Sequence, residues 1–215
     1  MTPQEIIDEV RILIQDTDAT TPRYTDSTLV GFVNQTLKRM AVVRPDLFAY
    51  IGEIPLSDGE VVHTAPSDSI RVFEIFRVKN GGSIREVSRE MMDQSAPSWQ
   101  ADTAGACTNW MRHSRNPNRF FTYPASTTSQ IVIGEYGQTP PTVAIGDTIT
   151  LIPDVWFPVI VDGVMWLAES IDDEHVNSKR AQMFQQAFIT ALQVNLESRA
   201  VTDSERGGLD EKDHR

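Results

Sequence analysis

The stretch LIPDVWFPVIVDGVMWLAESIDDEHVNSKRAQMFQQAFITAL, residues 151–192, decides the fold of this chain. Helical periodicity returns at Pro153, after a long stretch without it. Ile160, Val164, Leu167 and Ile171 recur on one face of a predicted helix. Asp154 is placed to cap that helix, and Pro158 falls in its first turn, where a missing N–H does least harm. A second helix carries Ala181, Phe184, Phe188, Ala191 and Asn195 at helical spacing, with Leu192 beside them, and nothing stops it before Arg199.

Between these helices Asp172, Asp173, Glu174 and His175 are consecutive. They can be read as a solvated turn, with Asp173 or Asn177 capping the incoming helix and acidic residues favouring its first turn. They can also be read as metal or acid–base chemistry through Asp172, Asp173 and His175. That reading needs a third ligand and an open position. The remaining histidines, His63, His113 and His214, are isolated in sequence. The turn is the expectation, and neither a metal nor a cofactor is expected.

Working back to the N-terminus, a matching helical pair appears. Thr2 is the predicted N-cap, Pro3 fits the first position and Glu5 completes a capping box. Ile6, Val10, Leu13 and Ile14 mark one face. After the turn-rich QDTDATTPR, Thr25 or Asp26 can start a second helix striped by Leu29, Val33, Leu37 and Met40 and widened by Phe32. Lys38, Arg39 and Arg44 are expected to complement its C-terminal dipole, and Pro45 to end it.

From about Leu47 the pattern changes. FEIFRVK, RFFTY, IVIGEY and DTITLI are short β-branched or aromatic runs between Gly, Pro, Asn and Ser clusters, with turn signals at 58–60 and 80–82. A short helix is predicted over 88–94, with Met91 and Met92 packing on the sheet, and QTPPT at 138–142 is a rigid extended connector. The fold class is therefore α+β. N- and C-terminal helices form an antiparallel bundle (1–46 and 153–199), with a β-rich insertion of five to seven antiparallel strands (47–152) and a flexible C-terminal arm (200–215).

Composition bounds the function. The chain has 215 residues, 40% of them apolar, which is enough for a buried core. Its net charge of −11 argues against binding nucleic acid by phosphate neutralisation. The single cysteine, Cys107, rules out an intrachain disulfide, suits a reducing compartment and has no cationic neighbour to activate it. No signal peptide is recognisable, and the longest apolar run (155–161) is too short to span a membrane, so a soluble cytosolic protein is expected. Phosphate-loop, dinucleotide, zincin, nucleophile-elbow and CxxC motifs are all missing from the sequence. NWMRHSRNPNRF forms a small basic-aromatic cluster of Arg112, Arg115 and Arg119 with Trp110 and Phe120. Such a cluster could touch a nucleic-acid backbone, but in so acidic a chain it is read as a hairpin with solvated charges or a protein contact, and Trp99 and Trp110 as packing residues.

Two phrases carry a resemblance. EVRILIQDTDATTPRYTDSTLVGFVNQTLKRMAVVRPDLF is similar to the start of bacteriophage head-to-tail adaptor, or tail tubular, proteins of short-tailed and related phages. The matching positions are Ile14, Asp16, Tyr24, Thr25, Asp26, Asn34, Arg44 and Pro45. The 151–192 phrase resembles the family's last two helices through Asp172, Glu174, Arg180, Ala181, Phe184 and Phe188, and FFTYPA resembles its strand before a Pro turn. Trp166 and Glu169 depart from the family, which tends to have a Tyr and a small residue there.

The resemblance implies a structural protein and no enzyme: a dodecameric ring between portal protein and tail or nozzle protein at the virion neck, assembled in the host cytoplasm, with DNA passing unbound through its channel. The arm, with Arg206, Leu209 and Arg215, is then expected to fold onto the portal. Trp99, Trp110 and Arg112 are expected to supply part of a ring or tail contact. Another neck, stopper or tail-completion protein, a non-viral interaction module and a small metal-dependent hydrolase are the alternatives.

Overall fold

The computed structural model describes residues 1–18, 20–127, 130–171 and 179–193. The fold is mixed α+β, with four named helices, a further helical stretch and two sheets. The chain divides into two units: Met1–Val43 with everything from Pro141 onward, and Arg44–Pro140.

The first unit contains α1 (Pro3–Ile14), α2 (Asp26–Val43), α4 (Phe157–Glu169) and the helical residues 179–193. The capping box forms as the sequence predicts: Glu5 N–H donates to Thr2 Oγ1 at 3.3 Å, and Thr2 N–H to Glu5 Oε2 at 2.7 Å. The buried stripe is Pro3, Ile6, Ile7 and Val10, and Leu13 is exposed. Ile7 turns the contact face away from position 13, and α1 stops at Gln15, which takes the left-handed conformation at φ 57°.

Thr25 caps α2 by accepting from Thr28 N–H, and Leu29, Val33, Leu37 and Met40 are buried. No basic residue lies in its last turn, contrary to expectation. Arg39 instead places its guanidinium 4.3 Å from the Trp166 ring centroid, and the buried Arg44 donates to both carboxylate oxygens of Asp46 at 2.9 and 2.8 Å.

The α1–α2 turn is tied by buried polar groups. Asp16 accepts from Arg11 Nη1 at 2.6 Å and from the backbone N–H groups of Arg23 and Tyr24. The Tyr24 hydroxyl donates to the Ala168 carbonyl of α4 at 2.7 Å. α4 itself starts without a side-chain cap. Asp154 sits one short 3₁₀ turn too early and accepts from the Met1 ammonium at 2.8 Å. The buried face of α4 includes Ile160, Val161, Val164, Met165 and Ala168, while Ile171 is exposed.

Gly163 marks a close crossing. A Cβ there would run into Thr36 Cγ2 of α2 and lie 3.0 Å from the Phe188 ring. Ala181, Phe188 and Leu192 are buried, and Asn195 lies outside the described residues.

DTITLI is not a strand. It has no ladder to join: Ile149 N–H donates to the Met1 carbonyl, and Ile149 and Ile152 are buried with the helical unit. Residues 141–152 therefore belong by contact with the helices. The Asn34 side chain anchors them. Its Nδ2 donates to the Val143 carbonyl at 2.9 Å and its Oδ1 accepts from Val143 N–H at 2.8 Å.

The second unit holds seven strands: β1 (Ala49–Pro55), β2 (Val62–Thr64), β3 (Ser69–Val78), β4 (Arg85–Glu86), β5 (Asn109–Arg112), β6 (Arg119–Tyr123) and β7 (Ile131–Gln138). One sheet has the order β1-β7-β3 and the other β2-β6-β5-β4. The pairing is antiparallel except between β4 and β5, which run parallel because the short helix α3 (Arg89–Ser95) and its flanking loops carry the chain across. Ser88 caps α3. Met92 packs under it, but Met91 is exposed.

β3 buries every third residue, Ser69, Val72 and Ile75, rather than every second. Its register shifts three times against β7, and each irregularity resets the alternation. Gly137 on β7 is needed for close approach, because a Cβ there would lie 2.8 Å from the Pro45 carbonyl oxygen.

Replacing Asn34 by Ala should leave both backbone groups of Val143 buried and unmatched. A loss of about 2–6 kcal/mol is expected, at roughly 1–3 kcal/mol per orphaned group. It would be read as a lower urea midpoint with an unchanged slope.

Candidate functional site

Alternation along β5 and β6 sends neighbouring residues into two different cores. Trp110 and Phe120 join Ile54, Val72, Ile75 and Tyr136 in a core drawn from both sheets. Met111 and Phe121 pack on the other face with Met92 and Trp99. Both tryptophans singled out in the sequence are thus only 1% exposed. Trp99 donates from Nε1 to Asp93 at 2.8 Å, whereas the buried Trp110 Nε1 has no hydrogen-bond partner among the described residues.

Arg112, at the end of β5, is exposed. Its guanidinium lies 5.0 Å from the centroid of the Trp110 ring. It meets Glu86 through two bonds, Nε to Oε1 at 2.6 Å and Nη2 to Oε2 at 3.2 Å, and it also donates to the Phe73 carbonyl. The β5–β6 turn that follows is built by its own polar groups. His113 Nδ1 accepts from the N–H groups of Arg115 and Asn116, and the His113 ring stacks on Phe121 at 5.4 Å. Asn116 Oδ1 accepts from Asn118 N–H. The turn is stitched to β3 where Val72 N–H donates to the Pro117 carbonyl.

The result is a cleft of about 150 Å³ whose wall carries Arg71, Trp110, Arg112, Arg115 and Arg119. Sequence reasoning found three of these arginines and the tryptophan. It missed Arg71, which lies some forty residues earlier and reaches the cleft beside the first register shift of β3. Nothing local in the sequence signals that bulge. The acidic run Asp172, Asp173, Glu174 and His175 lies outside the described residues, as do Arg206, Leu209 and Arg215. Among the described residues, no group of three or more His, Cys, Asp or Glu side chains could hold a metal. Nor is any described helix long and apolar enough to cross a membrane.

A family model described as SU10 adaptor protein matches residues 1–208. The chain belongs to the SU10 adaptor family. This is a family of phage head-to-tail adaptors, which implies contact with other phage head and tail proteins and a place at the virion neck. A structural adaptor family points away from catalysis. No curated protein matches the chain.

Among the described residues of this SU10 adaptor, burial perturbs the titration of Cys107, Asp162 and His63. Burial pushes the Cys107 thiol up, and its Sγ lies 2.8 Å from Gln130 Oε1, so it has little thiolate character. Burial also pushes up the Asp162 carboxyl on α4. Glu169, one of the two positions that depart from the resemblance, is buried, with Arg180 Nη1 at 3.6 Å.

His63 is held neutral. Its Nδ1 accepts from Ser57 N–H at 3.1 Å, its Nε2 faces Thr122 Oγ1 at 2.9 Å, and burial lowers its pKa to about 4. Between about pH 6.5 and 4 the unfolded chain therefore binds a proton that the folded chain refuses. The stability this contributes is complete above pH 6.5 and is lost as pH falls through that window. The loss should approach about 3 kcal/mol, at 1.36 kcal/mol per pH unit. Urea midpoints measured from pH 7 to 4 should fall more steeply for the native chain than for His63→Gln.

Proposed function

We propose that the protein is a ring-forming connector at the phage neck, joining the portal protein to the tail or nozzle protein and leaving a channel for the genome. The observation that carries this reading is the SU10 adaptor match over residues 1–208.

Charge supports it. Twelve copies at −11 would carry about −132, so a channel lined even partly by carboxylates repels phosphate and gives DNA no place to adhere. The surface supports it too. Ile12, Val42, Met183 and Ile189 on the helical unit are exposed, as are Tyr50, Ile51 and Met91 on the β unit. Single exposed apolar side chains are common on any surface, but these are available to a neighbour in the ring. A closed ring uses two different faces of each copy, so these residues need not match themselves across a dyad. In this reading the helices of the first unit form an antiparallel bundle that holds the ring contacts. The segment from residue 200 onward, with Arg206, Leu209 and Arg215, docks on the portal. No step in this role makes or breaks a covalent bond.

The test is reconstitution. The purified chain mixed with portal rings of its own phage should co-sediment, and electron microscopy should show twelve copies capping the portal. Failure of the full chain to associate with portal would overturn the proposal. A chain ending at Arg199 should keep its circular dichroism and urea midpoint but lose portal association. Docking undiminished by that cut would remove the arm from the mechanism.

A further inference from the structure

The arginine cleft of the β unit is not needed to hold the fold in the way the tied turn of the first unit is. Arg71 and Arg115 are exposed and make no ion pair or side-chain hydrogen bond among the described residues. Arg119 has only a long contact to Thr64 Oγ1, at 3.4 Å. Gathering three such cations at one small concavity raises the local potential. In a chain of net charge −11, with acidic groups available to neutralise them, that gathering calls for an anion.

Arg112 shows which anion the geometry accepts. Glu86 meets its guanidinium by two bonds to the two carboxylate oxygens, so one carboxylate already lies at the edge of the cleft in fork-to-fork geometry. Arg71, Arg115 and Arg119 offer the same fork without a carboxylate in it.

We infer that this cleft is a docking site for an acidic segment of a partner polypeptide, whose Asp or Glu carboxylates lie on Arg71, Arg115 and Arg119. Two features favour carboxylates over a nucleic-acid backbone. The cleft, at about 150 Å³, admits one or two anionic groups and does not form the extended groove that a strand follows. The net −11 of the chain repels a phosphate polymer at long range, whereas a short acidic segment carries far less charge to repel. The inference stands on the geometry of the β unit and does not require ring formation.

Trp110 lines the cleft and is only 1% exposed, but its ring lies against the Arg112 guanidinium, so its side-chain ¹H–¹⁵N resonance senses occupancy through that neighbour. The full chain, ¹⁵N-labelled, is titrated in low salt with a capped hexaglutamate peptide, with inorganic phosphate, and with a short, stable DNA duplex. The peptide should shift the Trp110 resonance in a saturable manner. Arg71→Ala/Arg115→Ala should weaken that binding by about tenfold or more, as expected for two charge-assisted contacts. Glu86→Gln should tighten it, because it removes the carboxylate that competes for Arg112. The unperturbed amide spectrum of each variant verifies its fold. The proposal is overturned if the peptide leaves Trp110 unmoved, or if the double variant binds as well as the native chain. It is equally overturned if the duplex shifts the same resonance at lower concentration, which would make the site one for nucleic acid. Saturation by phosphate with no response to the peptide would make it a small-anion site and also overturn the proposal.

Discussion

A side-chain amide that imitates a peptide unit governs how this chain closes on itself. When the polypeptide leaves the β unit at Pro140 it carries a stretch with no ladder to join, and buried backbone groups need partners. Asn34 supplies one donor and one acceptor from the middle of α2, and Val143 docks on it as a strand residue would dock on a neighbour. Asn34 Nδ2 also reaches the Val30 carbonyl, one turn back in its own helix, which fixes the amide's orientation. Once Val143 is placed, Ile149 and Ile152 fall into the helical core, and the chain is aimed for α4 to cross α2 at Gly163. Neither a hydroxyl nor an aliphatic side chain could replace this contact.

The same polar ties explain why an ordered set of common residues resembles a family so well. Asp16, Tyr24, Asn34 and Arg44 are four of the eight N-terminal positions that carry the resemblance. Each is a buried side chain making specific bonds to backbone or to a charged neighbour. They define the shape of a protomer. They do not describe what it touches, and the cleft arginines lie outside that set.

Much of the architecture could be read in the sequence where local chemistry and tertiary packing agree. The Thr2–Glu5 box, the Thr25 cap, the Ser88 helix and strands β3, β6 and β7 all stand where propensity puts them. The misses share a cause: a distant partner outweighed the local signal. DTITLI has strand composition but no strand beside it. Asp154 could cap a helix, yet the Met1 ammonium takes its carboxylate. β3 is found by its β-branched and aromatic composition, but its bulges put the buried side chains at every third residue, which composition does not reveal. At the cleft, the run from Trp110 to Arg119 was visible because it is contiguous. Trp110 is buried, as its reading as a packing residue expects, but the contribution of Arg71 and the clasp of Glu86 on Arg112 arise only from the strand order β2-β6-β5-β4 and the packing of β3 beside it.

The division of the chain also sets an order of events during synthesis. The helical unit draws on both ends of the polypeptide, whereas Arg44–Pro140 is one uninterrupted piece. On the ribosome, α1 and α2 emerge first, with Ile6, Leu29 and Val33 uncovered, and α4 is translated only after the whole β unit has appeared. At roughly 5–20 residues per second that interval is on the order of ten seconds. The β unit is therefore the first part of the nascent chain able to complete its own core. The opening helices gain their contacts with α4 only once translation delivers that helix.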